Sequence, residues 1–358
     1  VIGRLPAVVL GLLVVAGVIL VAAGGVVFGG RPTEAARAVA GRPPATSQRS
    51  ALSEGLVGES ALPAEVPGPP EPPVPPPAGP ARAVYPVATI EADFVDPTRP
   101  DAGRGDAADG RSLRTVIRFP DVRSAGPFPL VIFAHGYATN TAAYASLLDD
   151  LASTGYVVAA PEFPLTSTAL PGPVGSRDVA EQVEDVAFVI SSVLELATRD
   201  GPLRGAIGTA PVAVVGHSDG GITAAGAAFA SRLRDPRVGA AVVLSGARGD
   251  FGGPWFVEGS PALLAVHGDS DHVNPFSSSE SLYAANRSGG GRYLVRVPGG
   301  GHDDAFSSSR VRPMLVVLID EFLRAALGTD PSAAGRIEGA ATVPGVLELV
   351  AWEPVAHA

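Results

Sequence analysis

From residue 85 onward the sequence alternates short, unbroken apolar runs with stretches of helical period. That alternation limits the chain to a mostly parallel sheet with helices on its faces, because each crossover between parallel strands needs a helix-sized connection. The runs at 130–134, 157–160, 212–215, 241–244, 262–266 and 293–297 carry almost no polar residue, as strands buried on both faces must. Two earlier segments, 85–94 and 113–119, read as further strands, so the expected fold is an α/β sheet of eight strands flanked by helices. Between the runs, Val179, Val183, Val186, Ile190, Val193 and Ala197 recur at spacings of four and three, which puts them on one helical face. Residues 310–327 are expected to form the last helix of this domain.

The residues before this pattern have a different character. Residues 5–30 hold no charged side chain, and the stretch exceeds the roughly 20 apolar residues that cross a bilayer as a helix. A cleaved signal normally has an apolar core of only about 7 to 15 residues, so an uncleaved anchor is the favoured reading, with a signal segment as the alternative. Arg4 stands alone before the stretch while Arg31, Arg37, Arg42 and Arg49 follow it, which runs against a simple positive-inside orientation. Residues 31–84 lack either period and include a proline-dense run at 67–77, the composition of a semi-rigid spacer. The expected organisation is therefore a membrane anchor or signal at 1–30, a Pro-rich linker at 31–84, a catalytic domain at 85–327 and a tail at 328–358 to which no role is assigned. This places the domain outside the cytoplasm, anchored or secreted, with the membrane as a partner through the N-terminal segment.

With 26 basic against 36 acidic residues, the formal charge of -10 leaves no basic footprint for phosphate neutralisation, and nucleic acid is not an expected partner. The absence of cysteine excludes disulfides, thiolate nucleophiles and cysteine metal ligands. The six histidines show no paired ligand spacing such as HExxH, so no metal site is expected.

Chemistry concentrates at Gly216-His217-Ser218-Asp219-Gly220, a G-x-S-x-G pentapeptide set between an apolar strand and a small-residue helix. Such a turn strains the backbone at the serine and exposes its hydroxyl, and it leaves no room for side chains at 216 and 220. A serine hydroxyl needs a histidine to take its proton and a carboxylate to orient that histidine. Downstream, in the order Ser, Asp, His, lie Asp271 after the 262–266 run and His302 after the 293–297 run. Asp271 is favoured over Asp269 because the loop must extend from the strand end before a carboxylate can reach the histidine; Asp269 is the alternative, with Asp250 a distant third. His302 follows three glycines, which let its loop bend over the nucleophile. For the oxyanion the expected donors are the backbone amides of Asp219 and of Tyr137, in the His135-Gly136-Tyr137 loop after the 130–134 run.

These residues resemble the α/β-hydrolase superfamily over about residues 85–327, through His135-Gly136-Tyr137, Gly216 to Gly220, Asp271 and His302. Within it the chain looks like the lidless secreted esterases, a group that includes dienelactone-hydrolase-like, chlorophyllase-like and cutinase-like enzymes. The resemblance implies cleavage of a small ester, lipid or polyester substrate through an acyl-enzyme, with no cofactor; exported acyltransferases with the same triad are the alternative. Only residues 247–260 separate two strands where lids are often inserted, which leaves no room for a large one. Trp255 in that segment is similar in placement to the tryptophan that walls the acyl site of cutinase-like polyester hydrolases, and with Tyr137 it is expected to contact substrate. Two departures weigh against the polyester reading: Asp219 stands where that group has methionine, and the C-terminal cysteine pair is missing. The Asp219 carboxylate is expected to disfavour anionic substrates.

Overall fold

The computed structural model describes residues 82–355 apart from 101–109, 123 and 176. The apolar N-terminal stretch and nearly all of the linker lie outside the described residues. Among the described residues no helix is long and apolar enough to cross a membrane.

One mixed sheet of nine strands organises the chain, in the spatial order β1-β2-β4-β3-β5-β6-β7-β8-β9. The strands are β1 (Val87–Asp96), β2 (Arg111–Pro120), β3 (Leu130–Ala134), β4 (Val157–Pro161), β5 (Val212–His217), β6 (Val238–Leu244), β7 (Ala262–Gly268), β8 (Arg292–Val297) and β9 (Glu348–Glu353). From β4 across to β8 every pair is parallel, while β1, β2 and β9 run antiparallel at the two edges. The expected count of eight is therefore corrected to nine. The extra strand comes from the tail, where Glu348-Leu349-Val350-Ala351-Trp352-Glu353 pairs with β8. As an edge strand it is half-exposed and bounded by glutamates, so it lacks the unbroken apolar run that marks the central strands.

Period-two geometry splits each central strand between two cores. In β3, Val131 and Phe133 face one side, packed with helix α1 (Ala145–Ser153) and helix α4 (Arg312–Ala326). Leu130, Ile132 and Ala134 face the other, packed with α2 (Val179–Leu196) and α3 (Asp219–Phe229). Within α2 the buried residues include Val183, Val186, Ile190 and Val193, four of the six read from the apolar spacing. Gly226 in α3 sits where a Cβ would press on Val183 and Phe251, so the small residues of this helix set how closely it approaches its neighbours.

The topology also positions the site. Strand β3 lies between β4 and β5, so the connections leaving it turn to opposite sides and open a crevice at the carboxyl ends of the strands. Ala134 pairs with Gly216, and Gly268 with Val297, which brings the ends of β3, β5, β7 and β8 to one rim. The loops that follow these four strands carry His135-Gly136-Tyr137, Ser218, Asp271 and His302.

Candidate active site

Between β5 and α3 the backbone reverses at Ser218, whose φ of 57° and ψ of -122° lie where non-glycine residues are costly, by about 1–3 kcal/mol. The flanking glycines are demanded by contact. A Cβ on Gly216 would strike the Gly220 carbonyl, and one on Gly220 would strike the Ala134 carbonyl. The Ser218 amide donates to the Leu244 carbonyl at 2.9 Å, which ties the turn to β6. With its hydroxyl at the first turn of α3, Ser218 also lies at the electropositive end of that helix.

His302 Nε2 lies 2.9 Å from Ser218 Oγ, and His302 Nδ1 lies 2.7 Å from Asp271 Oδ2. The roles follow: the serine hydroxyl donates to Nε2, and Nδ1–H donates to the carboxylate. The Asp271 side chain is fully buried, and its Oδ1 accepts the amides of Val273 and Asn274, each at 2.8 Å. Burial opposes its ionisation, but the His302 hydrogen bond and the two amides outweigh it and hold the carboxyl below the usual range. Asp269, the alternative acid, instead accepts the Gly299 amide at 2.7 Å and clasps the loops after β7 and β8. Asp250 accepts only the Gly252 amide within its own turn.

Two further histidines complete the arrangement, and neither is among the expected catalytic residues. His267, at the end of β7, has Nε2 3.1 Å from Asp271 Oδ2 and 3.0 Å from the Asn274 carbonyl, with Nδ1 2.7 Å from Ser279 Oγ. Its Nε2–H is thus shared between the acid and the turn that holds it, and burial lowers its pKa despite those acceptors. His217, within the elbow, connects the other way. Gly136 N–H donates to the Tyr144 hydroxyl at 3.1 Å, Tyr144 lies 2.9 Å from His217 Nδ1, and His217 Nε2 lies 3.0 Å from the His302 carbonyl. Since Tyr144 can donate only to an unprotonated Nδ1, His217 carries its proton on Nε2 and gives it to the backbone of His302. Burial pushes its pKa down to about 4, so the ring is neutral near pH 7. Ser245 Oγ donates to the same carbonyl at 3.0 Å. Only the presence of histidine within and beside the motifs hinted at these links; the pairings are tertiary.

A cavity of about 420 Å³ opens beside this array, lined in part by Gly136, Tyr137, Tyr144, His217, Ser218 and His302. The amides of Tyr137 and Asp219 donate to no described residue. Trp255 is not brought to this cavity: its ring stacks on Phe251 with centroids 5.6 Å apart, and it lines a separate depression with Arg248 and Pro254. Its apolar face is satisfied by the core beside α3, which a reading of the 247–260 segment alone could not foresee.

Asp219 also differs from expectation. Its carboxylate is buried rather than presented to ligand, and Arg177 Nε stands 2.9 Å from its Oδ2. Burial raises its pKa, with Arg177 and His302 acting against that shift. Among the described residues His217, His302 and Asp303 offer nitrogen and oxygen atoms close enough to share a cation. Both His302 nitrogens are engaged by Ser218 and Asp271, and His217 Nε2 by a carbonyl, so the ligand positions are already bonded.

A buried carboxylate, a histidine and a serine in hydrogen-bonded sequence at the rim of this sheet are the arrangement of a serine hydrolase, and sheet and site together are similar to those of α/β-hydrolases. Over part of its length the chain is similar to chlorophyllases: the family model described as Chlorophyllase matches residues 108–243. Chlorophyllase-1, chloroplastic, of Citrus unshiu and its counterpart of Citrus sinensis are each 29% identical over 109 residues, 30% of this chain and 30% of the relative. The chain is thus matched to less than a third of the length of these curated relatives. The stretch matched by the family model contains the Gly136 loop and the elbow, whereas Asp271 and His302 fall beyond it.

Proposed function

We propose that this protein is a carboxylic ester hydrolase working through an acyl-enzyme on Ser218. The observation that carries the reading is the unbroken hydrogen-bond chain from Ser218 Oγ through His302 to Asp271, 2.9 and 2.7 Å long, at the edge of an open cavity. His302 takes the serine proton as Oγ attacks the ester carbonyl, and Asp271 stabilises the imidazolium that forms. The free amides of Tyr137 and Asp219 receive the developing oxyanion, the second at a helix N-terminus where negative charge is favoured. His302 then returns the proton to the departing alkoxide, and water attacks the acyl-enzyme by the same route in reverse. Proton transfer and backbone dipoles supply this chemistry from the chain's own groups. The substrate is a small or lipid-like ester; with Trp255 packed elsewhere, the aromatic wall that favoured a polyester is missing from the reading.

From their composition we infer that residues 1–30 anchor the protein or direct its export and that 31–84 space the catalytic domain from the membrane. A fluorophosphonate probe and p-nitrophenyl ester turnover test the central claim. Ser218→Ala should abolish labelling and lower kcat on the order of 10⁶-fold. Labelling of that variant as strong as the parent's would overturn the assignment.

A further inference from the structure

We propose that Arg177 is a specificity-determining residue that favours esters carrying a second, ionised carboxylate. The inference rests on ester hydrolysis at Ser218 and names the substrate class for that site. Two contacts place Arg177. Its Nε faces the buried carboxylate of Asp219, the residue next to the nucleophile, at 2.9 Å. Its guanidinium carbon lies 5.3 Å from the centre of the Tyr137 ring, a cation–π distance. Tyr137 in turn donates its hydroxyl to the Gly175 carbonyl at 3.0 Å, which ties the loop bearing Arg177 to the oxyanion loop.

What remains of the guanidinium is unused. Nη1 and Nη2 make no hydrogen bond with any described residue, and the side chain is 62% exposed while that of Asp219 is 4% exposed. The pair is formally neutral, but its two halves are not equally accessible: a ligand group that extends from the cavity past the Tyr137 ring meets the cation and not the Asp219 carboxylate. A planar fork with free donors, placed by its ion pair with Asp219 and by the Tyr137 ring, matches a carboxylate. Asp303, next to His302 and with a 64% exposed side chain, repels the same ligand group and so orients an anionic substrate toward Arg177. This reverses the expectation that the acidic residue after the nucleophile excludes anions.

The test compares kcat/KM of the full chain for matched ester pairs near neutral pH. One arm sets monomethyl glutarate against methyl pentanoate, with the carboxylate on the acyl side; the other sets 4-acetoxybutanoate against butyl acetate, with it on the alcohol side. On at least one arm the parent should prefer the anionic member by about tenfold or more, as expected for a charged hydrogen bond. That preference should shrink with rising salt, fall in Arg177→Lys, collapse in Arg177→Gln and invert in Arg177→Glu. Fluorophosphonate labelling counts intact sites in each variant, and the salt series on the parent reads the same charge without any substitution. A parent indifferent to charge on both arms, or a preference that survives in correctly labelled Arg177→Gln, overturns the inference. Loss of Ser218-dependent turnover for every ester would sink the hydrolase reading instead, whereas turnover blind to charge sinks this inference alone.

Discussion

Around Ser218 the backbone is fixed by what cannot fit, and around His302 it is fixed by what is bonded. At the elbow, Gly216 and Gly220 are pressed against carbonyls so closely that no Cβ is admitted, and the strained φ of Ser218 is enforced by its surroundings. On the acid–base side, Gly301 has only the Asp304 carboxylate within van der Waals reach of an added Cβ, and position is set by hydrogen bonds. The His302 carbonyl accepts from His217 and Ser245, Asp271 is gripped by two amides and His267, and Asp269 clasps the Gly299 amide. Steric enforcement gives a nucleophile with one geometry. Hydrogen-bonded enforcement gives a base whose ring is oriented yet can follow the proton from Oγ to a leaving group.

Substitutions that remove one kind of support should separate the two. The largest effect is expected on the bonded side: Asp271→Asn keeps the shape but loses the charge and the correct histidine tautomer, and kcat should fall on the order of 10⁴-fold. Asp269→Asn, measured in the same ester assay, should change it far less, because Asp269 touches only the neighbouring loop. Equal losses would mean that the acid is misassigned. On the steric side, Gly220→Ala should cost about 3 kcal/mol or more of stability, since the clash is with backbone that cannot turn away. Gly301→Ala should fall within about 1 kcal/mol of the parent by denaturant titration, and a reversed order would break the comparison.

A smaller effect joins the two sides. His217→Phe keeps an aromatic ring near Phe306 but removes the donor to the His302 carbonyl, and kcat should drop about tenfold with labelling intact. The same variant should alter the acid limb of stability. The folded-state pKa of about 4 lies below the unfolded value near 6.5, so the unfolded chain binds more protons in that window and stability falls as pH drops through it. For a ring this buried the loss is on the order of 3 kcal/mol. His135 and His267 are lowered by burial in the same direction, so His217→Phe should make the slope between about pH 7 and pH 5 shallower, not flat. An unchanged slope in urea midpoints would show that His217 is protonated in the folded state.

The same contrast governs what could be read in advance. Steric demands leave a local trace: a glycine at 216 and another at 220, between an apolar strand and a small-residue helix, specify the elbow because few other residues fit there. Strands buried on both faces are equally legible, since β3 to β7 carry apolar or glycine residues over nearly all of their length. Hydrogen-bonded support leaves little trace. Nothing near His217 announces that it reaches the backbone of a histidine 85 positions later, or that Arg177 will meet Asp219. Trp255 fails for a related reason: its position in the chain lies near the site, but the course of its loop turns the indole toward Phe251. The half-exposed β9 carries glutamates at both ends, so its pattern resembles a surface segment.

That strand also imposes an order of events in time. The rim bearing Ser218, Asp271 and His302 can be translated and largely assembled before residues 348–353 exist, yet β8 has no partner on its outer side until they do. During that interval a row of amides and carbonyls is open to any extended segment that passes, such as one from another copy. Completion of the catalytic groups and protection of the sheet are therefore separate moments in the life of each molecule, and the second waits on residues 348–353.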